Sequence, residues 1–468
     1  MRASRWAVVV LVGVLFAACG TRVDETTTAG QPIVIRTGGS GSGDGSATAG
    51  TLADGSPAPT AAGGNGGSAG GGTGGGATTP GGATGTDPGT GDGTATPSTD
   101  GAGAPVGEAS GDPIMLGSVG TSSGIVGAAL EGAFRGMVVW EHWVNAHGGI
   151  QGRPVQIISV DDGADPGRHA AAVRQLIQED GVVAFVGNFA PFTQSAGVPV
   201  LEQFQVPAIG GDGGEASWFT SEMNFPINGQ TVSRSVPAAH WALANLSQRN
   251  VAAIYVSEAE APAQLAHNFE QAWQEGGGNV VLDAGVSIAQ PDFTGEVIRA
   301  RNAGADIVYL VLEKAACNRM FDAMRRQDYH PIILSTACTL ENALDEPALT
   351  TNAMYAIHAA KPVLAGRSPA EDEVLAAIAQ YDPDLVPDGA FMFGWLGGKL
   401  LEAALAQPGA VISGPGIIDA LHRLPATDLG GLTPSQDWPA GPHPEGRCGM
   451  VSLFDGTRFN LQTPEFVC

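Results

Sequence analysis

The segment HGGIQGRPVQIISVDDGADP, residues 147–166, constrains the fold more than any other part of the chain. Its Gly148-Gly149 pair predicts the end of a helix, because glycine adopts the left-handed conformation of a C-cap at little cost. A turn follows, and the β-branched run 155–160 predicts a strand. Asp165-Pro166 predicts the start of the next helix, since proline is tolerated in a first turn. Helix, glycine turn, strand, acidic loop and helix are typical of a doubly wound α/β domain.

The N-terminus has the composition of an export signal. Arg2 and Arg5 precede the apolar segment 6–16, which is too short for a comfortable membrane span. Leu15-Phe16-Ala17-Ala18-Cys19 resembles a lipobox, although an ordinary secretory signal with a chance cysteine is the alternative. We therefore expect a lipoprotein signal peptide over residues 1–19, lipid attachment at Cys19, and a location on the extracytoplasmic face of the cell membrane.

Four cysteines remain when Cys19 is set aside, an even number that suits disulfides in an oxidising compartment. Four cysteines allow three connectivities, and sequence alone does not choose among them. Short separations favour the pairs Cys317–Cys338 and Cys448–Cys468. A zinc or thiol site is the alternative, but the ligand spacing and a nearby histidine are missing.

Residues 20–112 are rich in Gly, Ser, Thr, Ala and Pro and contain no lysine. Such a segment buries too little apolar surface to offset its ordering entropy, so we expect a disordered tether. The net charge of −25 makes nucleic acid a poor partner, because phosphate binding needs clustered Lys and Arg.

From residue 113 onward the pattern alternates between apolar strands and amphipathic helices, each strand feeding a loop of small polar residues. The predicted strands include 114–119, 181–186, 206–209, 251–256, 280–286, 306–312 and 332–335. The predicted helices include 127–145, 193–204, 262–275, 315–327, 369–381 and 388–406. Residues 450–461 predict a hairpin closed by Asp455-Gly456 in a type I′ turn.

The order strand, Ser/Gly loop, long helix, Gly-Gly-Ile-x-Gly-Arg-Pro, strand, Asp-Asp and Asp-Pro runs from Gly117 through Pro166. It resembles the type I periplasmic binding proteins, specifically the leucine/branched-chain amino acid family of ABC importers. The resemblance implies an α/β, two-lobed Venus-flytrap fold in which each lobe is a doubly wound, mostly parallel sheet. We expect one lobe from residues 113–225 plus 356–425, and the other from 226–355 plus 426–468.

Gly120-Thr121-Ser122-Ser123-Gly124 also matches G-x-S-x-G, the nucleophile elbow of serine hydrolases. However, the downstream histidines fall on predicted helices, strands or crossings and not in a glycine-rich loop of the same lobe. In the resembling family this position carries a Ser/Gly loop at the mouth of the ligand cleft. We therefore expect no enzyme activity.

Loops that follow strands supply the expected ligand contacts, because open α/β sheets bind ligands at that edge. Relative to the family, the middle loop departs by carrying Phe189 and Phe192, which pack either into the core or against ligand. Asp212 would repel a carboxylate, so a cationic, polyol or amide-bearing ligand fits at least as well as leucine. The predicted ligand-binding residues are Ser122, Ser123, Asn188, Phe189, Thr193, Gly211, Asp212, Glu258 and Glu313.

The resemblance implies a lipid-anchored solute-binding protein that closes over a small polar solute, such as an amino acid or amide, and docks on the permease subunits of an ABC importer. A ligand-sensing envelope lipoprotein of the same fold is the alternative. We expect no cofactor and no metal site. Asp161 and Asp162 are expected to be structural residues that cap the following helix.

Overall fold

The computed structural model describes residues 34–36, 109–227, 234–258, 260–363, 368–443 and 446–468. The predicted signal peptide, Cys19 and almost all of the predicted tether lie outside these ranges. None of the helices in the described ranges combines the length and apolar character that a membrane span requires.

The strands form two sheets. In chain order they are β1 (Val34–Arg36), β2 (Ile114–Gly120), β3 (Val155–Asp161), β4 (Ala184–Val186), β5 (Ala208–Ile209), β6 (Asn224–Phe225), β7 (Asn250–Val256), β8 (Asn279–Val286), β9 (Ile307–Val311), β10 (Ile332–Ser335), β11 (Met354–His358), β12 (Met450–Phe454) and β13 (Phe459–Leu461). The first sheet has the order β1-β3-β2-β4-β5-β6, and the second has the order β13-β12-β11-β10-β9-β7-β8.

The helices pack on the faces of these sheets. In chain order they are α1 (Gly124–Ala146), α2 (Pro166–Gln178), α3 (Gln194–Phe204), α4 (Ser217–Thr220), α5 (Ser235–Asn245), α6 (Glu260–Glu275), α7 (Thr294–Asn302), α8 (Lys314–Arg326), α9 (Leu340–Asp345), α10 (Pro347–Thr350), α11 (Pro369–Tyr381), α12 (Gly389–Leu405) and α13 (Gly414–Arg423). The α13 helix, which sequence analysis missed, is capped by Ser413, whose side chain accepts from the Gly416 amide.

Strands β2 to β6 are parallel, as are β7 to β11, which confirms the predicted mostly parallel two-sheet fold. Strand β1, which lies within the segment predicted as a tether, pairs antiparallel with β3 at the sheet edge. Its β-branched residues favour extended backbone, and the open edge of β3 supplies the hydrogen-bonding partners. Residues 109 and 110 also pack on the first sheet's lobe, where their backbone amides donate hydrogen bonds to the Asn145 and Gly152 carbonyls.

Residues 147–166 form the predicted helix end, strand and helix start, but the helix cap differs from the expectation. Helix α1 ends at Ala146, and Gly148 and Gly149 follow with φ of 93° and 66°. Strand β3 comes next. The cap of α2 is Asp165, whose side chain accepts from the Arg168 amide at 2.9 Å. The expectation that Asp161 and Asp162 cap this helix is therefore wrong.

The C-terminal hairpin forms, but its turn differs from the prediction. Phe454 pairs with Phe459, so the loop has four residues instead of the two of a type I′ turn. The Asp455 carboxylate accepts from the Thr457 and Arg458 amides at 2.8 and 2.9 Å. These hydrogen bonds stabilise the four-residue loop. A two-residue turn would not contain the amides that donate them.

Each sheet has its own apolar core, and we call the two bodies the first and second lobes. The first core includes Trp140, Trp395, Leu432 and Trp438. The second sheet is covered on one face by α7 and α8 and on the other by α5 and α6. Alternate residues of β9 face the two sides, as expected for a strand buried on both faces.

Two of the expected lobe boundaries need correction. Leu432 and Trp438 are buried in the first core, and the Trp438 indole donates to the Pro226 carbonyl at 2.7 Å. The His443 amide donates to the Phe219 carbonyl at 2.9 Å. Residues 426–443 therefore pack on the first lobe, because their apolar side chains complete its core. The boundary at 355/356 divides β11, which belongs wholly to the second sheet.

Disulfides join Cys317 to Cys338 and Cys448 to Cys468, as the short separations favoured. The first ties the start of α8 to the loop after β10. The second ties the C-terminus to the segment entering β12. Both stabilise the second lobe by restricting the unfolded chain.

Candidate functional site

A cavity of about 240 Å³ opens at the carboxyl edge of the first sheet, where the loops after β2, β3 and β4 meet beneath α1. Open α/β sheets bind their ligands at this edge. The cavity is lined by Ser118, Gly120, Thr121, Ser122, Phe134, Met137, Ser159, Val160, Asp161, Gly187 and Phe189. Of the predicted ligand residues, the structure brings Ser122 and Phe189 to this cavity.

Ser122 and Ser123 are both exposed, and Ser122 lines the cavity together with Asp161. The Ser122 and Gly163 amides donate to Asp161 Oδ1 at 2.9 and 3.0 Å. Burial opposes ionisation of Asp161, but hydrogen bonds from the Ser123 hydroxyl and these amides outweigh it and lower its pKa. The cavity mouth therefore carries a fixed negative charge beside two hydroxyl groups.

Asp162 lies completely buried behind the cavity and holds three loops together. Its Oδ1 accepts from the Thr121 hydroxyl and the Ala164 amide, both at 2.8 Å. Its Oδ2 accepts from the Thr193 hydroxyl at 2.6 Å and lies 2.9 Å from His169 Nδ1. Thr193, predicted as a ligand contact and helix cap, therefore bonds Asp162 and makes no side-chain cap bond to α3.

Asn188 is 1% exposed and belongs to a buried amide network. Its Oδ1 accepts from the Val119 amide at 3.1 Å, and its Nδ2 donates to Gln194 Oε1 at 3.1 Å. Gln194 in turn donates to Asn224 Oδ1 at 3.0 Å. The network joins β2, the loop after β4, α3 and β6, so the structure places Asn188 in the framework and not at the cavity.

The two phenylalanines of the same loop occupy different surroundings. Phe189 is half-buried, lines the cavity and lies 5.9 Å from the Phe393 ring, centroid to centroid. Phe192 is 38% exposed and lies outside the cavity. Only Phe189 is thus available to pack against a ligand in this cavity.

Gly211 and Asp212 are buried in the first lobe. Gly211 has φ of 83°, and a Cβ there would lie 2.1 Å from the Trp218 ring. Asp212 accepts from the Ala190 amide at 2.8 Å and from the Gly214 amide at 2.5 Å. Burial raises the pKa of Asp212 to about 7. This carboxyl group accepts hydrogen bonds from two loops and does not line the cavity. Its expected repulsion of a ligand carboxylate therefore does not arise there.

The two glutamates predicted from the second lobe stabilise its loops. Glu258 Oε1 lies 2.5 Å from the Ser287 hydroxyl and 3.0 Å from the Ile288 amide. Glu313 caps α8 by accepting from the Ala315 and Ala316 amides, both at 2.6 Å. Both carboxylates are therefore held by protein groups, and neither lines the cavity of the first lobe.

The second lobe contains a polar group that no sequence pattern indicated, formed by Arg234, Tyr309, Thr336 and His358. The Arg234 guanidinium donates to the Thr336 carbonyl at 3.4 Å, and its buried Nε has no partner. Among the described residues, no carboxylate is recorded within salt-bridge distance of it. Burial and the Arg234 charge lower the pKa of His358 to about 3, so His358 is neutral.

Ser118 and Ser159, which were not predicted as site residues, are paired on β2 and β3 in the cavity wall. Hydroxyl side chains inside otherwise apolar strands are the signal that could have found them. Both residues are less than a tenth exposed. They give an apolar wall two hydrogen-bonding groups.

Comparison with known proteins agrees with this geometry. Residues 113–456 match the family model described as periplasmic binding protein. The chain belongs to the periplasmic binding protein family. The Leu/Ile/Val-binding protein of Escherichia coli is 24% identical over 198 residues, which cover 42% of this chain and 53% of that protein. The amino acid binding protein of Pseudomonas aeruginosa matches with the same identity and coverage. The match thus spans about half the length of these curated relatives.

Solved periplasmic binding proteins share the fold. A fatty acid ABC transporter substrate-binding protein from Thermomonospora curvata superposes with a TM-score of 0.66 at 17% identity, covering 76% of this chain and 92% of that chain. A branched-chain amino acid transporter substrate-binding protein from Streptococcus pneumoniae, in complex with isoleucine, gives 0.63 at 16% identity, covering 76% and 99%. Identities this low establish the fold alone.

The homologues of this periplasmic binding protein are solute-binding proteins and not enzymes. The G-x-S-x-G segment lies at the cavity, where Gly120, Thr121 and Ser122 form part of the lining. His169, on α2, is buried, and its Nδ1 lies 2.9 Å from Asp162 Oδ2. This contact ties the imidazole to the buried carboxylate and not to the exposed Ser122.

Proposed function

We propose that this protein is the extracytoplasmic receptor of an ABC importer, and that it binds a small solute with an apolar part in the cavity of the first lobe. The observation that carries the proposal is the cavity itself, with Phe134, Met137 and Phe189 as apolar walls and Ser122 at its mouth. Ser122, Ser123 and Phe189 remain the proposed ligand contacts.

The size of the cavity supports a ligand group as large as an amino-acid side chain. An engineered protein cavity of about 150 Å³ binds benzene, and this one measures about 240 Å³. The Ser118 and Ser159 hydroxyls would orient a polar atom, and the Ser122 and Ser123 hydroxyls would hold a polar head group at the mouth. An amino acid with an apolar side chain, or a related amide, meets these requirements.

The transport step would use the two lobes as a clamp. A ligand held by the first lobe gains further contacts when the second lobe approaches, and this difference in contacts drives closure. Arg234 of the second lobe, whose buried Nε has no hydrogen-bonding partner, is the group that we propose to meet an anionic or polar ligand atom on closure. The permease subunits would then recognise the closed form. No covalent bond of the ligand changes.

The proposal is tested by calorimetric titration with amino acids, their amides, polyols and polyamines. Phe189→Ala removes an apolar wall worth about 1.5–3 kcal/mol, so we expect the Kd of the best ligand to rise about tenfold or more. Phe192→Ala is the matched control from the same loop, and it should bind as the unmodified protein does. Equal affinities of the two variants, or no binding by any compound, would refute the proposal.

We further propose that Cys19 carries the lipid that anchors this receptor, since residues 15–19 have the pattern of a lipobox. Cells fed radiolabelled palmitate should then incorporate the label into the unmodified protein and not into Cys19→Ala. Autoradiography of the immunoprecipitated proteins measures this difference, and equal labelling of the two would contradict lipid attachment at Cys19.

A further inference from the structure

A group of ionisable side chains lies on the second lobe, in no contact with the proposed ligand cavity. His267 and Glu270 are three residues apart on α6, and Asp283 faces them from β8. One ligand-type atom of each residue lies within 4.8 Å of the corresponding atoms of the other two. His267 Nε2 is 3.7 Å from Asp283 Oδ2.

This group contains a buried carboxylate oxygen without a hydrogen-bonding partner and two carboxylates close together. Glu270 is only 9% exposed, and its Oε1 is buried without a hydrogen-bonding partner. The Asp283 carboxylate lies beside it, so two like charges face each other in this group. In the described part of the chain, no lysine or arginine is recorded as an ion-pair partner of either carboxylate. A bound cation would satisfy the buried oxygen and separate the two like charges.

We propose that His267, Glu270 and Asp283 bind a divalent transition-metal ion, of which Zn²⁺ is the representative. One imidazole nitrogen and two carboxylate oxygens form a donor set that zinc accepts, and water completes the coordination. Ligand atoms about 2.1 Å from a tetrahedral zinc lie about 3.4 Å apart. The 3.7 Å between His267 Nε2 and Asp283 Oδ2 is close to that value, and the Glu270 ligand atom lies within 4.8 Å of the other two. Side-chain rotations that draw the three atoms together would complete the site.

The donor set distinguishes among cations. Ca²⁺ takes six to eight oxygen ligands and Mg²⁺ prefers oxygen in an octahedral arrangement, whereas this group supplies one nitrogen and two oxygens. The His267 and Asp283 side chains are 54% and 48% exposed, which leaves a path for the ion from solvent. An ordinary ion pair between His267 and Asp283 is the alternative, and it would leave Glu270 Oε1 unsatisfied.

Tyr255 would support the site without coordinating the ion. Its hydroxyl lies 3.3 Å from His267 Nε2. The same hydroxyl donates a hydrogen bond to the Asp283 carboxylate. Such a bond orients a ligating carboxylate, and loss of a supporting group of this kind weakens metal binding roughly tenfold.

The test is titration of the purified, chelator-treated chain with Zn²⁺ alone, followed by calorimetry and by the thermal unfolding midpoint. We expect saturable binding of one ion per chain and a rise in Tm that follows saturation. Co²⁺ substituted for Zn²⁺ should give the visible absorption of a four-coordinate site. Glu270→Gln and Asp283→Asn should each abolish saturable binding, and Tyr255→Phe should weaken it roughly tenfold.

The matched control is Glu275→Gln, an exposed carboxylate on the same helix, which should bind Zn²⁺ like the unmodified chain. Glu270→Gln should keep or raise the Tm of the metal-free protein, since it removes the repulsion between two carboxylates. Loss of the zinc response in a folded variant therefore identifies a ligand. Absence of saturable binding up to millimolar Zn²⁺, or binding that survives the Glu270→Gln/Asp283→Asn double substitution, would overturn the proposal.

Discussion

Asp162 is the residue on which the architecture of the cavity depends most. It is fully buried, and its two oxygens accept from the Thr121 and Thr193 hydroxyls and the Ala164 amide while contacting His169. The same carboxylate thus fixes the loops after β2, β3 and β4, which together form the edge where the cavity opens. Since no part of Asp162 is exposed, its role is to hold these loops and not to touch a ligand.

Asp162→Asn should destabilise the protein by about 3 kcal/mol, because the amide replaces one charged acceptor by a donor that faces hydroxyl and imidazole groups. Urea denaturation at neutral pH measures the change. The matched control is Asp328→Asn, whose side chain is 97% exposed and whose positive φ of 48° suits asparagine. A midpoint for Asp162→Asn equal to that of the control would contradict the role assigned to Asp162.

The same residue predicts a pH dependence. Burial opposes ionisation of Asp162, but hydrogen bonds from His169, Thr193, Ala164 and Thr121 lower its pKa below the ordinary value of 3.8. The unfolded chain therefore binds the proton at higher pH than the folded one, so this stabilisation is present above about pH 4 and is lost as the pH falls further. The difference in unfolding free energy between the unmodified chain and Asp162→Asn should shrink between pH 5 and pH 3. A difference that stays constant would show that Asp162 titrates normally.

The sequence predicted features that depend on neighbouring residues, such as helix ends. It did not predict side-chain contacts between residues that lie far apart in the chain. The Gly148-Gly149 helix end and the proline at the first turn of α2 depend on local backbone preferences, and both predictions are confirmed. The partners of Asn188, Thr193 and Asp212 come from loops that meet only in the folded sheet. These residues were therefore predicted as ligand contacts, although the fold uses them internally.

At the scale of elements, α1 and α12 approach so closely that backbone touches backbone. A Cβ at Gly136 would lie 2.2 Å from the Phe391 carbonyl oxygen, and one at Gly394 would lie 2.0 Å from the Ala133 carbonyl oxygen. The apolar pattern of α12 predicted a buried helix correctly. It did not reveal the glycine contact surface, because the partner helix lies more than 200 residues away in the chain.

Gly394→Ala should push the two helices apart and destabilise the first lobe by about 3 kcal/mol, the upper range for overpacking a close contact. Gly389→Ala is the matched control at the start of α12, where an added Cβ meets nothing within 4 Å. Its stability should equal or slightly exceed that of the unmodified chain. Circular dichroism during urea unfolding compares the two, and coincident curves would contradict the close packing of α1 on α12.

For the whole molecule, the alternating pattern predicted two sheets, whereas the route of the chain between them was harder to read. The predicted boundary after residue 425 was too early, since Leu432 and Trp438 complete the first core before the chain enters β12. In a segment without helix or strand, apolar residues show no regular spacing. The sequence therefore does not indicate which lobe they pack against. Only contact with Pro226 and the rest of that core shows where they belong.

The two separate cores make the molecule two bodies joined by chain crossings after Phe225, after His358 and after His443. A ligand that contacts both lobes favours the closed arrangement only by its differential affinity for that arrangement. We therefore expect small-angle X-ray scattering to show a smaller radius of gyration at saturating ligand than without it. Phe189→Ala should require a higher ligand concentration for the same final radius, because Phe189 belongs to the first lobe and affects binding before closure. If the radius stayed constant while calorimetry showed saturation, the ligand would be held by one lobe alone, and recognition by an importer would need a signal other than closure.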